Sequence, residues 1–142
     1  MNDVIVRVIA RIMIPFIQLY GIFIILNGHI SPGGGFAGGA LIGVSLIIYT
    51  LVYGVVPAEK KFSHRLGDLA EAGGILFYIL IGMVGIALGG AFLSNLDVGF
   101  PSGEAGAILS GGMIPLLMIA IGIKVTSTII SLFHAMIEED PQ

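Results

Sequence analysis

Long apolar runs alternate with short polar or glycine-rich breaks along the whole chain, and the runs exceed what a small soluble core requires. Four segments carry the roughly 20 predominantly apolar residues that a membrane-crossing helix needs: about Val4 to Leu26, Phe36 to Val56, Leu69 to Leu93 and Ala107 to Met136. The breaks between them leave little chain for a soluble domain, and neither a convincing internal repeat nor a low-complexity linker divides the chain. The pattern predicts an all-α integral membrane protein. It is expected to form a single membrane domain over residues 1–142, a four-transmembrane-helix layer with short loops. The first run carries Arg7 and Arg11 near its start and shows no small-residue cleavage site behind a short apolar core, so it is read as a retained span and not as a signal peptide.

Composition strengthens this reading, since 56% of the residues are hydrophobic and only 11% charged, against about a quarter charged in an average soluble domain. Where the charges lie says more than the net value of −3. Arg7 and Arg11 sit in the first span, while Lys60, Lys61 and Arg65 occupy the connection between the second and third; the connections after spans one and three hold no Lys or Arg. By the positive-inside rule both termini are expected to be cytoplasmic in a multi-pass protein of the cell membrane. The acidic end, Glu138-Glu139-Asp140, reads as a solvated tail.

Glycine supplies the packing logic. Gly35, Gly39 and Gly43 recur every four residues, and Gly82, Gly85 and Gly89 follow a three-then-four spacing. Such small-residue stripes let helices approach closely in lipid, against sister spans or other subunits. The break Pro32-Gly33-Gly34-Gly35-Phe36 joins proline, which fixes φ, to glycines that tolerate positive φ, and so should set a defined re-entry geometry. Within it, Phe36 reads as a packing residue more readily than a gate.

Polar residues inside the spans are few. Lys124 lies near the middle of the fourth run, where an ionisable group needs a partner, water or a route to an interface. Ser127, Thr128 and Ser131 follow at three, four and seven residues, close to the same helical face. Two readings stand: a proton- or ion-responsive lysine beside a hydrated path, or a snorkelling lysine that anchors the helix. Asp68 and Glu71 begin the predicted third span three residues apart, a spacing that suits first-turn carboxylates complementing the helix dipole. Glu71, the deeper of the two, is also a candidate to meet a cation from another helix. His29 is an ion-path candidate at the outer mouth, whereas His64 and His134 lie near cytoplasmic ends. Asn27 and Gln18 are expected in interhelical hydrogen bonds.

Several chemistries are excluded or disfavoured. Without cysteine the chain has no disulfide, thiolate metal ligand or iron–sulfur ligand of its own. The scattered histidines make no metal motif. Gly33-Gly34-Gly35 lacks the following Lys-Ser/Thr of a phosphate loop, and no nucleophile, base and oxyanion arrangement is evident. No catalytic residue, metal site, cofactor or nucleic-acid partner is therefore expected in this chain.

In combination, Gly28-His29, Pro32-Gly33-Gly34-Gly35-Phe36, Ser110-Gly111-Gly112-Met113-Ile114-Pro115 and Ala120-Ile121-Gly122-Ile123-Lys124-Val125 closely resemble the B-subunit family of Mrp/Mnh-type multisubunit sodium/proton antiporters. The motifs fall in the same order over nearly the whole chain. The resemblance implies a small membrane subunit working with other Mrp-type subunits in the lipid bilayer, with sodium ions and protons as the species transported by the complex. Pro32 and Phe36 occupy motif positions that it implies are functionally sensitive, and Lys124 occupies the late lysine-bearing motif. Met118 departs from the more polar residue of that motif. Similar modules serve membrane-bound hydrogenase and sulfur-reducing complexes, whose redox centres lie in other chains. Service alongside hydrogenase or reductase partners is thus an alternative, and a purely structural role in assembly is another.

Overall fold

The computed structural model describes residues 4–95, 99–100, 103–104, 106–108 and 110–138. The described residues form helices and no strands: α1 (Val4–Leu26), α2 (Gly34–Tyr53), α3 (Val55–Lys61), α4 (His64–Ala87) and α5 (Ile114–Glu138). Four of these, all but α3, are long and apolar enough to cross a membrane. Even the shortest, α2 with 20 residues, rises about 30 Å, the thickness of a hydrocarbon core.

The long helices stand in a row ordered α1, α2, α5, α4, with α2 and α5 in the middle. The end of α1 also reaches α5, where Ile25 lies over Gly122. One face of α1 is buried, through Ala10, Ile14, Gly21 and Ile25, whose spacing follows the helical repeat. The other face leaves Val8, Ile12, Phe16, Leu19 and Phe23 exposed, as an apolar solvent permits.

Glycines of α2 set both of its interfaces. A methyl group at Gly38 would stand 2.6 Å from the Gly21 carbonyl oxygen of α1, and one at Gly39 would stand 2.6 Å from the Gly122 carbonyl oxygen of α5. A methyl group at Gly43 would stand 3.0 Å from the Ile129 side chain, so the Gly35, Gly39 and Gly43 stripe faces a sister span. Close approach brings a polar gain as well: the Thr126 hydroxyl donates to the Gly39 carbonyl oxygen at 2.9 Å while also contacting Gly122 O of its own helix at 2.8 Å. The buried hydroxyls of Ser45 and Thr50 donate to carbonyls one turn back, at 2.6 and 3.0 Å, which satisfies them without an interhelical partner.

The helix limits depart from the apolar runs in several places. The second run breaks at Gly54, whose φ of 96° ends α2 and favours glycine; α3 follows, with Lys60 and Lys61 in its last turn, where cations complement the helix dipole. The third helix starts at His64 and not Leu69, capped by the Ser63 side chain, which accepts from Leu66 N–H. Its first turn contains no acidic residue, which overturns the dipole role expected of Asp68 and Glu71. That helix also ends at Ala87, short of Leu93. The remaining apolar residues fold back, with Leu93 N–H donating to Gly82 O at 3.3 Å and Phe92 lying on Gly82. The stripe of Gly82 and Gly85 therefore receives the chain's own return segment, and Gly89 is open.

Before α5 the chain passes Gly111 and Gly112, at φ of 89° and 68°, and the helix starts at Ile114 and not Ala107. Asn95 holds this turn from across the loop: its Nδ2 donates to Gly111 O at 2.8 Å, and its Oδ1 accepts from Met113 N–H at 2.9 Å. A side chain at Gly112 would collide with it. Glu139 and Asp140 of the acidic tail lie outside the described residues.

Candidate functional site

Helical periodicity on α5 and a glycine on α4 together build the polar site. Gly74 lets the two helices close until a methyl group there would be 3.0 Å from both Ala120 O and the Lys124 Cβ. At that separation the side chains of one more turn meet across the seam. The Lys124 ammonium donates to the Thr128 oxygen at 2.9 Å, and the Thr128 hydroxyl donates to Glu71 Oε1 at 2.8 Å. Lys124 Nζ is also 3.3 Å from the same carboxylate oxygen. One hydroxyl thus bridges a cation and an anion that nearly touch.

An ion pair inside a membrane helix pair is costly unless its hydrogen bonds are made, and here Thr128 makes one to each member. The pair is not sealed. The Lys124 and Glu71 side chains are 34% and 32% exposed, so one flank of the seam is open to whatever lies beside α4 and α5. The arrangement can neutralise charge at membrane depth, and the bridging hydroxyl can accept a proton from one side while donating its own to the other.

The other predicted residues separate into those near the seam and those elsewhere. Ser127 is fully buried, but its hydroxyl donates to Ile123 O and Lys124 O of its own helix, at 3.1 and 2.9 Å. Ser131 continues the stripe and lies against Gly67. Asp68 is exposed, away from the Lys124 contact. One helical turn beyond Ser131, His134 is buried, its Nε2 without a hydrogen-bond partner among the described residues and its ring 5.6 Å from that of His64. The cytoplasmic-end reading of His134 did not anticipate this burial, although its three-residue step from Ser131 continues the same face.

His29 belongs to a different structure. Its Nε2 contacts Ala107 O at 3.0 Å and Ser110 Oγ at 3.1 Å, which ties the α1–α2 turn to the approach of α5. Its Nδ1 is buried without a hydrogen-bond partner among the described residues. In the turn itself Gly33 and Gly34 have φ of 128° and 63°, and the Gly35 N–H, an orphan of the first turn of α2, donates to Met118 Sδ at 3.2 Å. The apolar residue at 118 thus has a use as a weak acceptor. Phe36 is 68% exposed and Pro32 is exposed, so neither is enclosed by the rest of the chain. Asn27 bonds its own helix at Phe23 O, 2.9 Å, and not a neighbour; Gln18 lines a groove beside α2. Among the described residues no group of three His, Asp or Glu side chains could hold a metal ion.

A row of membrane-length helices with a charged seam defines a multi-pass membrane protein whose polar chemistry lies between helices. Residues 5–131 match the family model described as "Domain related to MnhB subunit of Na+/H+ antiporter", and the chain belongs to that family. It is similar to an uncharacterized protein of Methanocaldococcus jannaschii, 37% identical over 126 residues, which are 85% of this chain and 47% of the relative. It is also similar to the B subunit of a Na(+)/H(+) antiporter from Bacillus subtilis, 29% identical over 94 residues, 66% of this chain and 65% of the relative. Among solved structures, a chain of the membrane-bound sulfane sulfur reductase, an archaeal respiratory membrane complex, matches with a TM-score of 0.76 and 33% identity, over 95% of this chain and 58% of that one. The chain thus spans between about half and two thirds of these relatives' lengths.

Proposed function

We propose that the chain is a single membrane domain acting as a small subunit of a multisubunit sodium/proton antiporter, where it contributes to cation and proton translocation and to assembly. The observation that carries this reading is the Lys124, Thr128 and Glu71 contact in an open seam between two membrane-length helices. A proton arriving at Glu71 leaves Lys124 charged beside a neutral acid. Lys124 then releases its proton on the other side. Transfer from Glu71 through the Thr128 hydroxyl restores the ion pair, and one proton has crossed the seam. Sodium ions and protons are the transported species, and the chain supplies no catalytic centre or cofactor.

A second reading is favoured by the likeness to the respiratory complex: the same seam would serve as an ion-translocating module beside redox subunits. Neighbouring genes separate the two, since antiporter subunits alone favour the first and nickel–iron or iron–sulfur subunits favour the second. A purely structural role is the reading the main experiment excludes. Lys124→Ala should lower ion-driven proton flux per assembled complex on the order of 10²-fold, as for loss of a proton-transfer group, with complex abundance near wild type. Lys124→Arg should be milder. Normal flux from the alanine complex would reduce Lys124 to an anchor.

The orientation proposed with this function puts both termini and Lys60 in the cytoplasm and Glu104 on the opposite side, because Lys60, Lys61 and Arg65 share one connection. The chain has no cysteine of its own, so a single cysteine at either site reports cleanly. An impermeant thiol reagent added to intact cells should label position 104 and spare position 60; the reverse pattern would invert the topology.

A further inference from the structure

A groove far from the charged seam is built unlike the rest of the membrane-facing surface. It lies between α1 and α2 at the end marked by α3, and encloses about 410 Å³. Arg11 and Lys61 stand on its walls, and its apolar surface comes from Ile14, Pro15 and Leu46. Lys61 Nζ is 4.8 Å from the centre of the Tyr49 ring, a cation–π contact that fixes the ammonium while leaving its donors free. Among the described residues neither cation is paired with a carboxylate. The Tyr53 hydroxyl, also on the wall, is committed to the Arg7 carbonyl oxygen at 3.3 Å. Gln18, seven residues from Arg11, adds one amide about 10 Å deeper along α1.

Two unpaired cations, then an apolar channel with one polar group part-way down, are complementary to an anionic amphiphile. We infer that this groove holds one anionic phospholipid. Its phosphate sits between Arg11 and Lys61, its acyl chain runs along Ile14, Pro15 and Leu46, and Gln18 meets an oxygen of the glycerol linkage. The guanidinium fork matches phosphate oxygens in a bidentate manner, and the lysine adds a point charge. A zwitterionic lipid brings its own ammonium into a site that already holds two cations, and a free phosphate leaves the apolar channel unused. The site shares no residue with the Lys124 seam, so it stands or falls independently of the transport reading.

The test uses the intact complex in proteoliposomes containing a photoactivatable phosphatidylglycerol or, separately, the same probe built on phosphatidylcholine, with adducts mapped by peptide mass spectrometry. The anionic probe should label the α1 and α2 segments around the groove on the order of tenfold more than the zwitterionic one. Arg11→Gln combined with Lys61→Gln should reduce labelling to the zwitterionic level. Lys60→Gln should not, because Lys60 lines a separate hollow with Glu59 and His64. Excess inorganic phosphate should leave the labelling unchanged. Equal labelling by both probes, its loss to free phosphate, or no labelling by either because a neighbouring subunit fills the groove would each overturn the inference. If the double variant does not assemble, the wild-type preference between the two probes decides alone.

Discussion

The interface between α2 and α5 and that between α4 and α5 use the same helix to opposite ends. Against α2, α5 meets glycines at 35, 39 and 43, and the surfaces close until backbone carbonyls limit the approach. Against α4 the approach is set by Gly74, but what meets there is an ammonium, a hydroxyl and a carboxylate with one flank open. The first interface has no space to rearrange. The second has three polar atoms whose hydrogens can be redistributed without moving a helix. One face of α5 therefore fixes position, and the other holds charge.

The sharpest way to break this contrast is to insert bulk at the closed interface. Gly39→Leu drives a side chain into Gly122 and Val125 at a cost above the ~1–3 kcal/mol typical of overpacking, because backbone cannot yield as a side chain does. Complex abundance in the membrane should collapse, and any flux should fall with it in proportion. Normal abundance would mean that α2 and α5 are not held as described.

A smaller and different effect is expected at the open interface. Thr128→Val keeps the shape but removes the bridge between two charged groups, each of whose hydrogen bonds is worth about 1.5–3 kcal/mol. Flux per complex should fall roughly tenfold with abundance preserved, less than for Lys124→Ala because the 3.3 Å ion pair survives. Equal loss of flux and abundance would make the hydroxyl a packing group and erase the distinction between the two faces.

The smallest effect, opposite in sign, comes from the glycine next to the one that matters. Gly73 has nothing within 4 Å of where a Cβ would stand, while Gly74 is buried against Ala120 and Lys124. Gly73→Ala should stabilise α4 by about 0.4–1 kcal/mol, read as a thermal midpoint at or slightly above wild type with unchanged flux. A destabilised complex would show that a neighbouring subunit presses on this face.

Hydropathy made the four helices legible because lipid demands the same long apolar run of each. It misplaced their ends for a related reason: Phe92 and Leu93 are as apolar as the span before them, yet they fold back onto Gly82, and no transfer scale separates a helix from its own return. The stripe of Lys124, Ser127, Thr128 and Ser131 followed from helical spacing alone. Its partner Glu71 did not, since pairing depends on α4 lying beside α5, which spacing within one helix cannot specify. Asn95 was invisible for another reason. A single asparagine in a loop has no period, and its two contacts to Gly111 and Met113 exist only once the turn is folded.

The row order has a consequence for how the chain is made. α4 packs chiefly on α5, and Lys124 follows Glu71 by 53 residues (124 − 71). At a synthesis rate of about 5–20 residues per second, the ribosome reaches the lysine roughly 3–10 seconds after the glutamate. Through that interval α4 has neither its packing surface nor its counter-charge, whereas α1 and α2 can already close on each other. One event in biogenesis therefore serves both ends: the helix that docks α4 is the helix that completes the pair.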